Sequence, residues 1–423
     1  MSKKFKAMRG THDLLPEESL LWRRIETAFV DICRRYGYGE VRVPIFEATE
    51  LFERGTGFAT DVVQKEMYTF PDKKGRSLSL RPEGTPSVIR AYLEHGLSRK
   101  SKVSKFHYMG PMFRYDKPGA GRYRQFHQVG IEVIGTPSPQ ADVEVITLLW
   151  EYLRGINLKD VGMRVNTLGC KNCRERYSAL VKEFLEGKLG DLCEDCHDRF
   201  NRNPLRVLDC KVASCKEAIG DAPAIDAVLD EECIAHFDEV QQYLKVAGVD
   251  FYVDKKLVRG LDYYTRTVFE VFHSATGVDS SLGGGGRYDE LVQELGGPST
   301  PAVGFSAGLE RIVLALKAEA AHADEAASMD VYVASIADES YQYAFALAGE
   351  LRKSLRVWLE FESRRPQKQL ASASKMGAAY TAVIGEDEVK KNTVVFKHME
   401  SGEQAEVGRD EALSWLKNRL GGE

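Results

Sequence analysis

The chain has 423 residues and a formal net charge of -5, with 58 Lys and Arg against 63 Asp and Glu. That length supports two or three domains with cores of their own. The acidic balance argues against a general nucleic-acid binder, so any such contact has to come from local basic patches. The start, MSKKFKAMRGTHDLLPEE, has no apolar signal core, and no uncharged run is long enough to cross a bilayer. A soluble cytoplasmic protein without membrane contact is expected.

The first element reads as a helix from about Glu17 to Tyr36, with Leu21, Ile25, Ala28, Phe29 and Ile32 on one stripe and Gly37 and Gly39 at its end. GEVRVPIFEATELF follows, a strand-like run whose proline suits an edge or interface strand. In SLRPEGTPSVIRAYLEHG, residues 79 to 96, Arg81 and Glu83 precede a turn; Thr85 and Pro86 then open a helix with Val88, Ile89, Tyr92 and Leu93 on one side. The segment 113 to 135, FRYDKPGAGRYRQFHQVGIEVIG, reads as two strands about a turn of Lys117, Pro118, Gly119, Ala120 and Gly121. Arg114 leads into the turn, and Arg122 and Arg124 leave it. On the returning strand Gln128, Gly130 and Glu132 share one face, because side chains alternate along a strand.

A helix around Gln140 to Arg154 leads to a segment of about 165 to 250 that holds three cysteine pairs. Cys170 and Cys173 form one CxxC and Cys193 and Cys196 another, at a separation within the zinc-binding range; Cys210 and Cys215 follow. In a reducing compartment such units favour a metal over disulfides, so Cys170, Cys173, Cys193 and Cys196 are candidate ligands of a structural zinc, with six thiols competing for four positions. Buried free cysteines are the alternative.

Farther along, LVRGLDYYTRTVFEVF sets Arg259 ahead of a strand from Thr267 to Phe272, interrupted only by Glu270. A guanidinium beside an aromatic wall suits a carboxylate or phosphate, although a strand-end salt bridge is the plainer reading of a lone arginine. The four glycines of SSLGGGGRYDELV permit either a close backbone approach to a ligand or a flexible turn. Arg311 falls on a helix within AVGFSAGLERIVLAL. After the connector KAEAAHADEAAS, strand and helix alternate from Met329 in the manner of an α/β sheet. That domain has no glycine fingerprint after its first strand.

Taken together, FRYDKPGAGRYRQF, AVGFSAGLERI, RPEGT, QVGIEVIG, RGLDYYTRTVFE and GGGGRYDEL resemble, over nearly the whole chain, the bacterial-type histidyl-tRNA synthetases of the class II aminoacyl-tRNA synthetases. The resemblance implies an α+β architecture. Residues 1–325 would form an antiparallel-sheet catalytic domain with a helical insertion, and residues 326–423 an α/β anticodon-binding domain. It implies that histidine and ATP, with Mg²⁺, give histidyl-adenylate and pyrophosphate, and that histidine then passes to tRNA(His). It also implies a two-fold homodimer through the first helix and strand.

By the same resemblance Arg114 holds the α-phosphate, Arg311 the γ-phosphate, and Arg259 the α-phosphate and the substrate carboxylate. Glu83 and Thr85 take the α-amino group, Gln128 the carboxylate side, and Glu132 with Tyr264 the ring nitrogens, while Tyr263 and Tyr288 complete the pocket. Candidate tRNA-facing patches are Arg99 to Lys105, the hairpin loop and Arg364 to Lys375. Some relatives carry a glutamine in that loop to read the acceptor end. DKPGAG lacks it, which leaves Lys117 and Arg122 as phosphate contacts. The competing resemblance is to a histidine-binding regulatory subunit of ATP phosphoribosyltransferase. Such subunits usually lack the C-terminal domain and key arginines, both present here.

Overall fold

A computed structural model describes residues 5–57, 60–210, 212–274, 281–319, 329–362 and 365–421. Ser280, Arg364 and most of the KAEAAHADEAAS connector lie outside the described residues. By contact the chain divides into two compact units, the second comprising Ala323–Glu423 together with the short stretch Pro16–Leu20.

The helix α1 (Pro16–Arg35), which belongs to the first unit from Leu21 onward, opens with a proline and two glutamates and closes with two arginines, matching its dipole at both ends. Its stripe is spent inside the unit: Trp22, Ile25, Phe29 and Ile32 are buried in the main core, with Leu21 and Ala28 packed against it. The strand expected next is brief. After β1 (Gly39–Glu40) the chain passes Pro44 into β2 (Phe46–Ala48) and α2 (Thr49–Thr56). With β3 (Thr69–Pro71) and β4 (Ser77–Leu80), β2 makes a small sheet of order β2-β4-β3. Its polar and apolar side chains fall on opposite faces. Thr49, Ser77, Ser79 and Thr69 hydrogen-bond to one another at 2.7 to 3.0 Å. Phe46 opposes Leu80 and Phe70 opposes Leu78, so these four share the other face. Phe46 is 54% exposed and Phe70 41%.

The helix α3 (Thr85–Glu94) precedes the long hairpin of β5 (Ser104–Phe113) and β6 (Gln125–Ile134), whose register sets Gly110 opposite Gln128 and Phe106 opposite Glu132. Next come α4 (Pro139–Gly155) and β7 (Val161–Thr167). The helical insertion follows as α5 (Lys171–Glu186), α6 (Glu194–Arg202), α7 (Ala213–Ala218) and α8 (Glu231–Val246), with its own apolar cluster around Tyr177, Val181, Leu185 and Val207. The chain then forms β8 (Phe251–Val253), β9 (Thr265–His273), β10 (Ser281–Arg287), α9 (Leu291–Glu294), β11 (Ala302–Gly308) and α10 (Leu309–Ala318). The main sheet has the order β1-β5-β6-β11-β10-β9-β7-β8, parallel only at its two outer pairs. Side chains of α1, α4 and α10 join those of the central strands in the main core, and the cavity described below is bordered by residues of the same strands.

The four-glycine run is no turn. Gly283 to Gly286 lie within β10, a central strand, where an added Cβ on Gly285 would meet the Gly304 carbonyl oxygen at 1.9 Å. Glycine is required there for strand-to-strand approach.

The second unit holds β12 (Val331–Ser335), α11 (Tyr341–Leu351), β13 (Val357–Leu359), α12 (Pro366–Lys375), β14 (Tyr380–Ile384), α13 (Glu386–Lys391), β15 (Thr393–His398), β16 (Gln404–Gly408) and α14 (Ala412–Arg419). Its sheet runs β13-β12-β14-β15-β16, parallel through the first three strands and antiparallel beyond. After β14, Glu388 accepts a hydrogen bond from the Gly385 amide at 2.7 Å and caps α13.

Candidate active site

One cavity of about 580 Å³ opens on the sheet face of the first unit. It is bordered by Arg114 from the end of β5, Arg259 ahead of β9 and Arg311 from α10. Each arginine is anchored at one side. Arg114 Nε donates to the Pro82 carbonyl at 2.9 Å, and Arg311 donates to the Ser281 carbonyl at 2.6 Å. Arg259 pairs with Glu270, while its buried Nε has no partner among the described residues.

The strand-interrupting Glu270 is therefore the anchor that holds Arg259. Burial alone would raise the Glu270 carboxyl, but Arg259 and Arg164 beside it hold it below its ordinary value. Burial, with Arg122 and Arg114 nearby, holds the Arg311 guanidinium below its own ordinary value. Like charges crowded at one wall lower their energy by taking an anion, so this wall is built for phosphate or carboxylate. The glycines of β10 belong to the same design. A Cβ on Gly284 would fall 2.9 Å from the Arg259 guanidinium.

A second, more enclosed group stands beside the arginines. Glu83 accepts hydrogen bonds from Thr56 Oγ1 at 2.6 Å and from the Tyr263 hydroxyl at 2.9 Å. Glu132 accepts from Thr85 Oγ1 at 2.7 Å and from the Tyr288 hydroxyl. Tyr263 packs on Tyr264 with ring centroids 4.7 Å apart and edge-on to Tyr288 at 5.6 Å.

Of the residues anticipated for an amino acid, Glu83, Gln128 and Tyr264 border the cavity. The Gln128 Oε1 is buried with no partner among the described residues. Thr85, Glu132, Tyr263 and Tyr288 stand behind that wall, bonded to each other or to Glu83, because Glu132 spends both oxygens on Thr85 and Tyr288. Tyr108 was missed. Its ring threads between Gly84 and Gly130, where a Cβ would come within 2.3 and 2.4 Å of it.

Burial pushes the Glu132 carboxyl up from its ordinary 4.5 to about 8. The folded protein therefore keeps a proton that the unfolded chain releases, and this group's contribution to stability falls as pH rises from about 4.5 toward 8. Glu132→Gln cannot ionise. Its stability relative to the parent should grow across that window by up to ~4 kcal/mol. Urea midpoints at pH 5 and pH 8 measure this, and parallel profiles for the two proteins would refute it.

Beneath the wall lies a buried ion pair that the sequence did not announce: Arg287 and Asp142, both fully buried, meet at 2.6 Å. The insertion also reaches the cavity. Arg199 pairs with Asp61 at 2.8 Å, Asn203 donates to Asp262 at 2.7 Å, and Arg206 donates to the Gly260 carbonyl.

Of the tRNA candidates, Arg122 borders the cavity beside Asp116 at 3.6 Å, whereas Lys117 stays on the exposed turn. In the patch from Arg99 to Lys105, the last lysine is spent on Glu144 at 2.7 Å. The zinc grouping needs correction. Cys170, Cys173, Cys193 and Cys196 do not meet. The first two lie with Asp230 and Cys233, and the last two with Cys210 and Cys215. Cys173 lies in the first turn of α5, and the rest of that helix, about 20 Å long, separates the two CxxC units.

Known proteins resemble this chain in sequence and fold. A family model described as Histidyl-tRNA synthetase matches residues 10–312, and one described as Anticodon binding domain matches residues 330–419. A histidine–tRNA ligase of Natranaerobius thermophilus is 47% identical over 95% of this chain and 96% of its own length. One of Thermotoga maritima is 46% identical over 99% of both. The crystal structure of apo S. aureus histidyl-tRNA synthetase aligns with a TM-score of 0.83 at 35% identity, covering 98% of this chain and 100% of that one. On the family match, the identities and the shared fold, the chain belongs to the histidyl-tRNA synthetase family.

Proposed function

We propose that this protein is a histidine–tRNA ligase, which joins histidine to ATP as histidyl-adenylate with release of pyrophosphate and then transfers histidine to the 3′ end of tRNA(His). The observation that carries the reading is the single cavity bordered by Arg114, Arg259 and Arg311, with an acid-and-phenol pocket alongside. In nucleotidyl transfer the charge develops on phosphate oxygens, and positioned cations supply most of the stabilisation. Arg114 and Arg259 are assigned to the α-phosphate, Arg259 also to the amino-acid carboxylate, and Arg311 to the γ-phosphate. Glu66 and Asp116, which border the cavity near Arg114, are the carboxylates that would hold a magnesium ion brought with ATP, which would spread the charge of the phosphates.

Glu83, with Thr85 behind it, is assigned the α-ammonium and Gln128 the carboxylate side. Glu132 and Tyr264 take the imidazole nitrogens, which requires the Tyr288 hydroxyl to yield one oxygen of Glu132, and Tyr263 holds Glu83 in place. A site built to pair an imidazole leaves buried polar groups unpaired with any apolar analogue, which discriminates by ~10⁴ or more. Exchange of labelled pyrophosphate into ATP should therefore require histidine among the twenty amino acids. Exchange driven equally well by another amino acid, or none at all, would overturn the reading. A regulatory subunit that only binds histidine would give no exchange.

Residues 1–325 are assigned to catalysis and 326–423 to the anticodon, with Lys117 and Arg122 contacting acceptor-end phosphates. Charging of tRNA(His) with and without its extra guanosine tests whether that loop also reads bases. The exposed Phe46 and Phe70 of the small sheet, with the neighbouring Ile45 (44% exposed), support a homodimer through that surface. Light scattering that gives the mass of one chain would reject it. No helix among the described residues is long and apolar enough to cross a membrane, and the proposed place of action is the cytoplasm.

A further inference from the structure

Seven of the eight cysteines fall in the insertion, and the fold sorts them into two tetrads. Cys193, Cys196, Cys210 and Cys215 form one. Cys170, Cys173, Cys233 and Asp230 form the other, and in each the candidate ligand atoms all lie within 4.8 Å of one another.

The spacing within the tetrads is that of a metal site. Zinc–sulfur bonds of ~2.3 Å arranged tetrahedrally put sulfurs ~3.8 Å apart, whereas a disulfide puts them ~2.0 Å apart. The Cys193 and Cys210 sulfurs are 3.8 Å apart, and those of Cys170 and Cys173 are 3.7 Å apart. Asp230 Oδ2 lies 3.2 and 3.1 Å from the Cys170 and Cys173 sulfurs, on the same side as both.

Backbone amides also point at the sulfurs. Cys193 N–H donates to Cys215 Sγ and Cys170 N–H to Cys233 Sγ, each at 3.1 Å, and Asp230 N–H donates to Cys173 Sγ at 3.3 Å. Such donors stabilise thiolate charge and orient metal ligands; neutral packed thiols gain little from them.

We propose that the chain carries two structural zinc ions, one held by Cys193, Cys196, Cys210 and Cys215, the other by Cys170, Cys173, Cys233 and Asp230. Each ion staples a different joint. The three-cysteine site ties the start of α5, where the insertion leaves β7, to the start of α8. The four-cysteine site closes the segment from α6 to α7, which holds Arg199, Asn203 and Arg206 against Asp61, Gly260 and Asp262, next to Arg259. All four positions are closed by protein groups, as in structural zinc sites, so neither ion is assigned a step in the reaction.

The test is metal analysis of the full chain purified without chelator. Zinc at about two equivalents is expected, falling to about one in Cys210→Ser and to about one in Cys233→Ser. Cobalt exchange should give tetrahedral thiolate absorption whose four-sulfur component is lost only in Cys210→Ser. Either variant could misfold, so the parent alone also decides. Less than about a tenth of an equivalent of zinc, iron in place of zinc, or disulfides found by mass after alkylation would overturn both sites. One equivalent in the parent would overturn the pair.

Discussion

Arg259→Ala is expected to lower the rate of histidine-dependent pyrophosphate exchange by ~10²- to 10³-fold, the effect of losing one preorganised contact to a developing oxyanion. Arg259 is held by Glu270 through one nitrogen and keeps a buried Nε without a partner, so its loss removes donors that no neighbour replaces. Glu270 stays paired with Arg164 in the variant, and the unfolding transition should therefore move little. Arg259→Lys restores a charge but not the planar fork, and should recover only part of the rate. The loss should fall on kcat more than on KM, because the contact tightens as phosphate charge develops. A loss below tenfold with a normal unfolding transition would mean that Arg259 is a strand-end salt bridge and no more.

Arg287→Met is expected to destabilise the first unit by ~3–5 kcal/mol, the range for breaking a buried ion pair from one side. Asp142 would keep only the Thr267 hydroxyl at 2.8 Å and the His236 ring, whose Nε2 lies 3.2 Å away. Burial, aided by the positive Arg287 and Arg266, holds His236 down to about 4, so in the parent it brings no charge to the pair at neutral pH. The carbonyls of Thr136 and Ser138, now bonded to Arg287 at 2.9 and 3.0 Å, would also lose their donor. Replacing Asp142 by leucine in the same chain should return much of the loss, since the cost comes from a lone buried charge. The first unfolding transition in urea measures both variants. A shift below about 1 kcal/mol for Arg287→Met would show that the pair is not needed to hold the sheet.

What could be read in advance was whatever depended on local pattern. The β5–β6 hairpin and the shared face of Gln128, Gly130 and Glu132 follow from alternation about a glycine-rich turn, and α1 follows from its apolar stripe and the glycines that end it. Helix-period patterns also marked α3, α4 and α10. The failures were long-range. Four glycines look alike in a loop or a central strand until the neighbouring carbonyls are known, and only the fold brings the Gly304 oxygen against Gly285.

The cysteines were grouped by nearness in sequence, so Cys233 was passed over and two sites were read as one. Asp142 and Arg287 stand 145 residues apart, and no local rule links them. Among the site residues, the three arginines meet at one cavity because three separate elements end there. Which polar side chains face that cavity and which stand behind it depended on Glu132 having two neighbours able to saturate it.

The central claim is that guanidinium groups from three distant segments jointly neutralise a triphosphate while the adjoining acid-and-phenol pocket holds an imidazole. A crystal structure of the protein with histidine and a non-hydrolysable ATP analogue tests it most directly. The expected result has phosphate oxygens within hydrogen-bond reach of Arg114, Arg259 and Arg311, and the histidine ring against Tyr264 and Glu132. A triphosphate bound away from those arginines, or a ring seated outside that pocket, would contradict it.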